Sequence, residues 1–161
     1  MAEDPVIPEI EATPGAPGAD SYLSLADAED LASRVSLGAW AGKSDAEKSA
    51  ALRRATIDID SHRFHSPEPM NAGQALAFPR SKDNGSIPGA VKWSAIFQAD
   101  FILAGAGYDG GKWEGATAGA NKRAGMGSPL CPAAFRTLSR FISQAGGYGP
   151  VEMPEPDGEE A

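Results

Sequence analysis

Few residue patterns in this chain have the composition and spacing of a catalytic or ligand-binding motif. Residues 105–110 read Gly-Ala-Gly-Tyr-Asp-Gly and match the glycine-rich pattern G-x-G-x-x-G. A dinucleotide site needs that pattern after a strand and at the start of a helix, where the helix N-terminus meets the pyrophosphate. Here the pattern follows a predicted helix and begins a stretch rich in glycine and alanine. It therefore indicates a helix end and a flexible loop.

Two histidines near two aspartates form a candidate metal site. Asp58, Asp60, His62 and His65 have suitable ligand atoms. On a helix, Asp58 and His62 share a face, whereas Asp60 points elsewhere and His65 lies where the helix ends. The spacing favours solvated polar residues at a helix end, and no metal is expected.

The remaining reactive groups also lack the partners that catalysis needs. Cys131, the single cysteine, has no histidine near it in sequence, and it cannot form a disulfide within the chain. A small, partly buried thiol at the start of a helix is the expected role. Residues 84–86 read Asn-Gly-Ser, a glycosylation acceptor pattern that is better explained as a turn. The sequence predicts no enzyme activity and no cofactor.

Aromatic residues accompanied by lysine and arginine can stack single-stranded bases. The candidates are Trp40, Phe78, Trp93, Tyr108 and Trp113. The basic residues near them are scattered and offset by acids, without the single basic stripe of a nucleic-acid surface. Core packing and subunit contacts are the favoured roles of these aromatics.

The acidity of the chain is concentrated at its two ends. The 161 residues carry a formal charge of −8, from 22 acids and 14 lysines and arginines. Residues 1–20 and 150–161 contain 10 of the acids and no lysine or arginine, so residues 21–149 carry about +2. The start of the sequence lacks the basic end and apolar run of a signal peptide, and no run is long enough to cross a bilayer. We expect a protein made inside the cell, with no membrane contact.

Helical periodicity predicts an all-α fold, a small bundle of about four helices. The predicted helices cover about residues 24–35, 45–64 and 88–103, and a last helix begins at Pro132. Residues 44–47, Ser-Asp-Ala-Glu, form a capping-box pattern at the start of the second helix. Residues 105–128 are predicted to form a long Gly/Ala-rich loop. The helical domain is placed at 21–149, between a flexible acidic, proline-rich arm over 1–20 and an acidic tail over 150–161.

The most constrained stretch is residues 74–92. Pro79 fixes its own φ and keeps the preceding residue out of the helical region, so residues 76–80 are predicted to be extended. Asn84-Gly85 is a turn signal, and Pro88 suits the first turn of a helix. An extended apolar arm before a helix is expected to wedge against the core or a neighbouring subunit.

Several short segments together resemble a known family. They are SYLSLADAE at 21–29, Trp40, SDAEKSAALRRA at 44–55, Asp60, QALAFPR at 74–80 and IPGAVKWSA at 87–95. In this order and spacing they are similar to the head-tail adaptor, or head completion and connector, proteins of tailed bacteriophages, one branch of which is labelled DnaT-like single-stranded DNA-binding. The resemblance covers about residues 21–104. The usual central motif has Trp where this chain has Phe78.

The resemblance implies a structural virion protein that performs no chemistry. Such subunits are mainly α-helical and form a ring, commonly a dodecamer, under the portal protein. The ring extends the DNA channel, through which double-stranded DNA passes without sequence-specific binding, and docks a tail terminator or stopper protein. The location implied is the virion neck, with assembly in the host cytoplasm. The alternatives are a single-stranded DNA-binding replication accessory protein and a monomeric minor capsid protein.

Two groups of residues are the candidate interaction sites. Phe78, Pro79, Arg80 and Trp93 are expected to hold the third helix against the core or against a neighbouring subunit. The acidic tail is a candidate docking segment for the portal or the tail. Its acids are Glu152, Glu155, Asp157, Glu159 and Glu160.

Overall fold

The structure is a computed structural model that describes residues 8–65, 68–105 and 130–143. These residues form four α-helices and no β-strand, which confirms the predicted small all-α bundle. The predicted loop after Gly105 and the acidic tail at 150–161 lie outside the described residues. The helices are α1 Leu25–Ser33, α2 Asp45–Asp60, α3 Gly89–Ala104 and α4 Pro132–Leu138, with a 3₁₀ turn at Trp40–Gly42.

Helix α2 starts where its sequence predicts and ends four residues earlier than expected. The Ser44 hydroxyl accepts from the Glu47 N–H while the Glu47 carboxylate accepts from the Ser44 N–H, which completes the capping box. The hydrogen bond from the Ser44 N–H lowers the pKa of Glu47. After Asp60 the chain leaves the helix, and Phe64 pairs with Ile142 in an isolated antiparallel bridge.

The core lies where α2 and α4 both pack against α3. Its fully buried side chains come from every helix and from the segments between them. Helix α3 begins after Pro88, whose carbonyl accepts from the Lys92 N–H, and ends at Gly105 in the left-handed conformation, with φ of 65°. The largest fully buried apolar side chains are Tyr22, Leu23, Leu52, Ile59, Phe78, Ile96 and Leu138.

Residues 8–20 lie against the helical domain, which differs from the expectation of a separate arm over 1–20. The Arg53 guanidinium donates to the Asp20 carboxylate at 2.6 Å and to the carbonyls of Pro8 and Glu9 at 2.5 and 2.9 Å. The Ala75 N–H donates to the Ala16 carbonyl at 3.2 Å. One arginine of α2 therefore orders a segment that its proline-rich composition alone would leave disordered. Residues 1–7 lie outside the described residues.

Candidate nucleic-acid interface

Phe78 and Pro79 are part of the core of their own subunit. Phe78 is 1% exposed, and the peptide bond between the two residues is cis. Three rings meet Phe78 edge to face: Tyr22 at 6.1 Å, Phe64 at 4.8 Å and Phe141 at 5.4 Å between centroids. Of the two roles expected for this motif, core packing is therefore the one that its surroundings favour.

A buried polar pair positions the backbone of this motif. The Tyr22 hydroxyl donates to one oxygen of Asp60 and accepts from the Phe78 N–H at 3.3 Å. The other Asp60 oxygen accepts from the Ala77 N–H at 3.1 Å. Burial raises the pKa of Tyr22 well above its usual value, and burial also raises the pKa of Asp60. The phenol therefore stays protonated, and its O–H group is the donor in the hydrogen bond to Asp60.

Arginines lie over the faces of the same aromatic cluster. The Arg80 guanidinium carbon is 5.4 Å from the Phe64 ring centroid and 5.3 Å from that of Phe78, while Arg140 lies 4.8 Å from the Phe141 ring. At these distances the ring quadrupole attracts the cation. Lys82, His65 and Asp83 complete the rim of a small cavity of about 30 Å³. We call the whole lining the basic–aromatic surface; it comprises Phe64, His65, Phe78, Arg80, Lys82, Asp83, Arg140 and Phe141.

The basic–aromatic surface is positive in a chain that is strongly negative. It contributes three cationic side chains against the single carboxylate of Asp83. The five ion pairs between described residues use Arg34, Lys43, Lys48, Arg53 and Arg54, all on or next to α1 and α2. Among the described residues, Lys82 and Arg140 form no ion pair. Their charge is thus available to an anion.

The arrangement suits stacking and phosphate binding more than enclosure of a ligand. Phe64 and Phe141 are partly exposed, and a partly exposed ring can stack on a base of any identity. The cavity has room for roughly one water molecule, so a nucleobase must lie on its rim. Lys82 and Arg140, both exposed, also line this cavity and carry the positive charge that phosphate binding needs.

Three separate segments build the basic–aromatic surface. The chain after α2 supplies Phe64, the loop before α3 supplies Arg80 and Lys82, and the chain after α4 supplies the last arginine and phenylalanine. The first and third are joined by a short ladder: the His65 N–H donates to the Phe141 carbonyl at 2.9 Å, and the Ser143 N–H to the Arg63 carbonyl at 2.8 Å.

Helix α4 is held in place by polar groups of α3. The Gln98 side chain donates to Asp58 at 2.9 Å and accepts from the Cys131 N–H at 2.8 Å. The Ser94 hydroxyl donates to the Ala134 carbonyl at 3.0 Å. Cys131 is buried, and burial raises the pKa of its thiol. That thiol is therefore protonated near neutral pH, and it lies at the start of α4, where the sequence predicted a small, partly buried thiol.

The other candidate aromatics have different surroundings. Trp93 is partly exposed and stacks on Phe97 at 5.7 Å, outside the basic–aromatic surface. Trp40 is 2% exposed and donates its indole N–H to Glu29 at 3.2 Å, so it cannot stack on a base. Tyr108 and Trp113 lie outside the described residues, as do the candidate docking acids of the tail, Glu152, Glu155, Asp157, Glu159 and Glu160.

The two candidate carboxylate ligands point into different interactions. Asp58 is bound by Gln98 and by Arg54 at 3.4 Å, and Asp60 accepts from Tyr22 and Ala77. Within 8–65, 68–105 and 130–143, no three His, Cys, Asp or Glu side chains are grouped to hold a metal ion. In the same ranges, no helix combines the length and apolarity of a membrane span.

Residues 42–44, Gly-Lys-Ser, are the last three residues of a phosphate-binding loop motif that starts with a glycine five positions earlier. Leu37 stands at that position, so the full pattern is not present. At the start of α2 the Glu47 carboxylate already accepts from the Ser44 N–H. The capping box thus occupies the place where a phosphate would bind.

Sequence reasoning singled out Phe78 and Arg80 and missed Phe64, Lys82, Arg140 and Phe141. A signal for the missed residues was present. Arginine is adjacent to phenylalanine at 63–64, 135–136 and 140–141, and Phe-Pro-Arg occupies 78–80. Four such placements in a chain with only six phenylalanines are a pattern that a search for interleaved basic and aromatic residues would have found.

Comparison with known proteins gives one family. The family model described as "Putative DnaT-like ssDNA binding protein" matches residues 9–120. No curated protein matches the chain, and no solved structure matches it. The match agrees with the DnaT-like branch of the resemblance noted in the sequence and gives no support to the wider head-tail adaptor group. Since the match spans well over half of the sequence, the chain belongs to this DnaT-like family.

Proposed function

We propose that this protein binds single-stranded DNA on its basic–aromatic surface, as a replication accessory protein without catalytic activity. The observation that carries the proposal is the placement of Arg80 and Arg140 over the rings of partly exposed Phe64 and Phe141. The description of the family supports the same ligand.

The geometry allows one strand to use both rings. Phe64 and Phe141 each contact Phe78, at 4.8 and 5.4 Å, so the two rings lie within the sum of those distances of each other. Neighbouring bases of one strand can then stack on the two rings while the phosphates meet Lys82 and Arg140. Each stacked base contributes about 1–3 kcal/mol, without preference for its identity.

Fluorescence anisotropy with labelled oligo-dT, repeated over a salt series, tests the proposal. We expect the affinity to fall as salt rises, because each neutralised phosphate releases counterions. The double variant Lys82→Ala/Arg140→Ala should flatten the slope of log affinity against log salt by about 1.4, at about 0.7 per lost phosphate contact. The variant Phe141→Leu, which keeps apolar volume, should weaken binding at every salt concentration.

Arg34→Ala is the matched control. Arg34 is exposed, pairs with Asp30 on α1 and lies outside the basic–aromatic surface, so its removal should leave the binding unchanged. Absence of salt-sensitive binding, or equal losses in the control and the double variant, would refute the proposal.

A second function, that of a head-tail adaptor subunit, is supported by the sequence resemblance over residues 21–104 and by one structural observation. Apolar side chains lie at the surface of α2 and α3: Ile57 is 61% exposed, and Trp93 stacks on Phe97 with part of its ring exposed. In a ring, each copy presents one patch to a different patch of the next copy. The proposed partners are the portal protein and a tail terminator or stopper, in the virion neck.

Mass photometry and electron microscopy of the purified protein, with and without portal protein, test the adaptor function. A ring that forms on the portal, and that is lost in Ile57→Asp or Trp93→Asp, is the expected result. The control is Lys82→Ala, since Lys82 lies in the loop before α3 and is not one of these exposed apolar residues. A protein that stays monomeric with and without portal would exclude this function.

A further inference from the structure

We propose that the acidic C-terminal segment of this chain, residues 150–161, binds the basic–aromatic surface and competes there with single-stranded DNA. The competition with DNA rests on the proposed function. The binding of residues 150–161 rests only on the charge and position of the surface. It assigns a second ligand, an acidic peptide belonging to the same chain, to the site.

The first argument is charge complementarity. Residues 150–161 contain five acids and no lysine or arginine. The basic residues of α1 and α2 already form ion pairs within the fold, whereas Lys82 and Arg140 pair with no described carboxylate. An acidic peptide therefore gains most by binding where the cations are not yet neutralised.

The second argument is tethering. The last described residue, Ser143, bonds to the Arg63 carbonyl beside Phe64, only two residues after Phe141. Glu152 lies nine residues after Ser143, and a fully extended chain of that length reaches at most about 30 Å. The described chain thus ends at the edge of the surface, and the acidic segment follows within that reach. A short tether of this kind holds a ligand at an effective concentration on the order of millimolar.

The third argument is that two acids of the other acidic end are already in use. Asp20 is bound by Arg53, and Glu11 accepts from the Thr13 N–H within its own turn. Asp20 is thereby committed to α2, and Glu11 to its own turn. The five acids of residues 150–161 follow the surface in the chain.

The sequence of the segment also fits an aromatic surface. Val151 and Met153 alternate with Glu152, and three prolines are interspersed among the acids. Apolar side chains of this kind can cover the exposed faces of phenylalanine rings, and a methionine sulfur has a favourable contact with a ring edge. Carboxylates at alternate positions can then meet the arginines beside those rings.

The consequence is a reduced apparent affinity for DNA, because the surface is open for only part of the time. The apparent dissociation constant scales inversely with the open fraction. Ending the chain at Gly149 should therefore tighten binding to oligo-dT by several-fold, on the order of tenfold or less. Neutralising the five acids to Gln or Asn should have the same effect, whereas reordering residues 150–161 with the charges kept should not.

Two measurements decide the inference, and the second needs no DNA. The first compares oligo-dT affinity for the full chain, the chain ending at Gly149 and the neutralised variant. The second follows a fluorescent peptide with the sequence of residues 150–161 as it binds to the chain ending at Gly149. We expect the peptide to bind, to bind more weakly to the full chain, and to lose affinity in Lys82→Ala/Arg140→Ala but not in Arg34→Ala.

The outcomes separate the inference from the proposed function. If DNA binding is equal in all three chains and the peptide does not bind, the inference is overturned while the DNA site stands. If no chain binds DNA but the peptide binds in the expected pattern, the contact stands and the proposed function fails. If the gain in oligo-dT affinity on ending the chain at Gly149 depends on protein concentration, the segment that covers the surface belongs to a second copy. That result would overturn the inference that the segment binds within its own chain.

Discussion

Tyr22 and Asp60 form the pair on which the Phe78 motif depends. The phenol and the carboxylate together satisfy the N–H groups of Ala77 and Phe78, which have no helix or sheet partner. Since burial raises the pKa of Asp60, this carboxyl favours folding most when it is protonated. Its contribution is complete below its unfolded pKa and declines as pH rises through its higher folded pKa.

The variant Tyr22→Phe is expected to lose about 1–3 kcal/mol of unfolding free energy at neutral pH, because it leaves buried groups without a partner. The hydrogen bond from Tyr22 lowers the pKa of Asp60, so its loss raises that pKa further. The deficit should therefore grow as pH rises from about 4, near the usual Asp value, toward neutrality. Urea unfolding over a pH series measures it.

Ser33→Ala is a suitable control for Tyr22→Phe. It removes an exposed hydroxyl that donates to the Asp30 carbonyl, and a change within about 0.5 kcal/mol is expected. A pH-independent deficit for Tyr22→Phe would show that Asp60 does not titrate in the way its burial requires.

Helix α4 has seven residues, too few to be stable alone. Its position comes from the contacts with Gln98 and Ser94, and the basic–aromatic surface takes Arg140 and Phe141 from the chain directly after it. The stability of this short helix is thus coupled to the proposed DNA site through one amide side chain.

The variant Gln98→Met keeps the volume of the side chain and removes its polar atoms. We expect a loss of about 1–3 kcal/mol, because the Cys131 N–H and the Asp58 carboxylate each lose a buried hydrogen-bond partner. The loosened α4 should expose Cys131, so a thiol reagent should label this single cysteine several-fold faster. Oligo-dT affinity should fall as well.

Lys92→Met is the control for Gln98→Met. Lys92 is a partly exposed residue of α3, so this variant should change neither the rate of Cys131 labelling nor the oligo-dT affinity. Faster labelling with unchanged DNA binding would separate α4 from the site.

At the scale of the helices, local sequence patterns predicted where a helix starts better than where it ends or which distant residues make contact. Ser44 and Glu47 give the start of α2, because the capping box is a local pattern. After the end of α2 at Asp60, the chain forms a bridge between Phe64 and Ile142, residues far apart in sequence. No local pattern encodes that pairing, so the site that it creates was not predicted from the sequence.

At the scale of the whole molecule, the charges are sorted into two regions. Arg53 binds residues 8–20 and neutralises Asp20. Ion pairs also occupy the other basic residues on or next to α1 and α2. The total of −8 gave no hint of a positive surface, because charge counts carry no information on which groups pair. Only the folded contacts show where positive charge remains available.

The variant Arg53→Lys keeps the charge but cannot make the three bonds that join Asp20, Pro8 and Glu9 to α2. Residues 8–20 should therefore detach more often, and a protease specific for Glu should cut after Glu9 and Glu11 several-fold faster. Gel analysis of a digestion time course measures this. Arg34→Lys is the control, and equal cutting of the two variants would contradict the role given to Arg53.

The pairing of Phe64 with Ile142 also orders events during synthesis. Since the basic–aromatic surface needs side chains from residues 64, 80–82 and 140–141, it cannot assemble until most of the chain has left the ribosome. Earlier nascent chains carry the arginines and phenylalanines but not the joined surface. Only a polypeptide synthesised beyond residue 141 can therefore present this surface to the proposed DNA ligand.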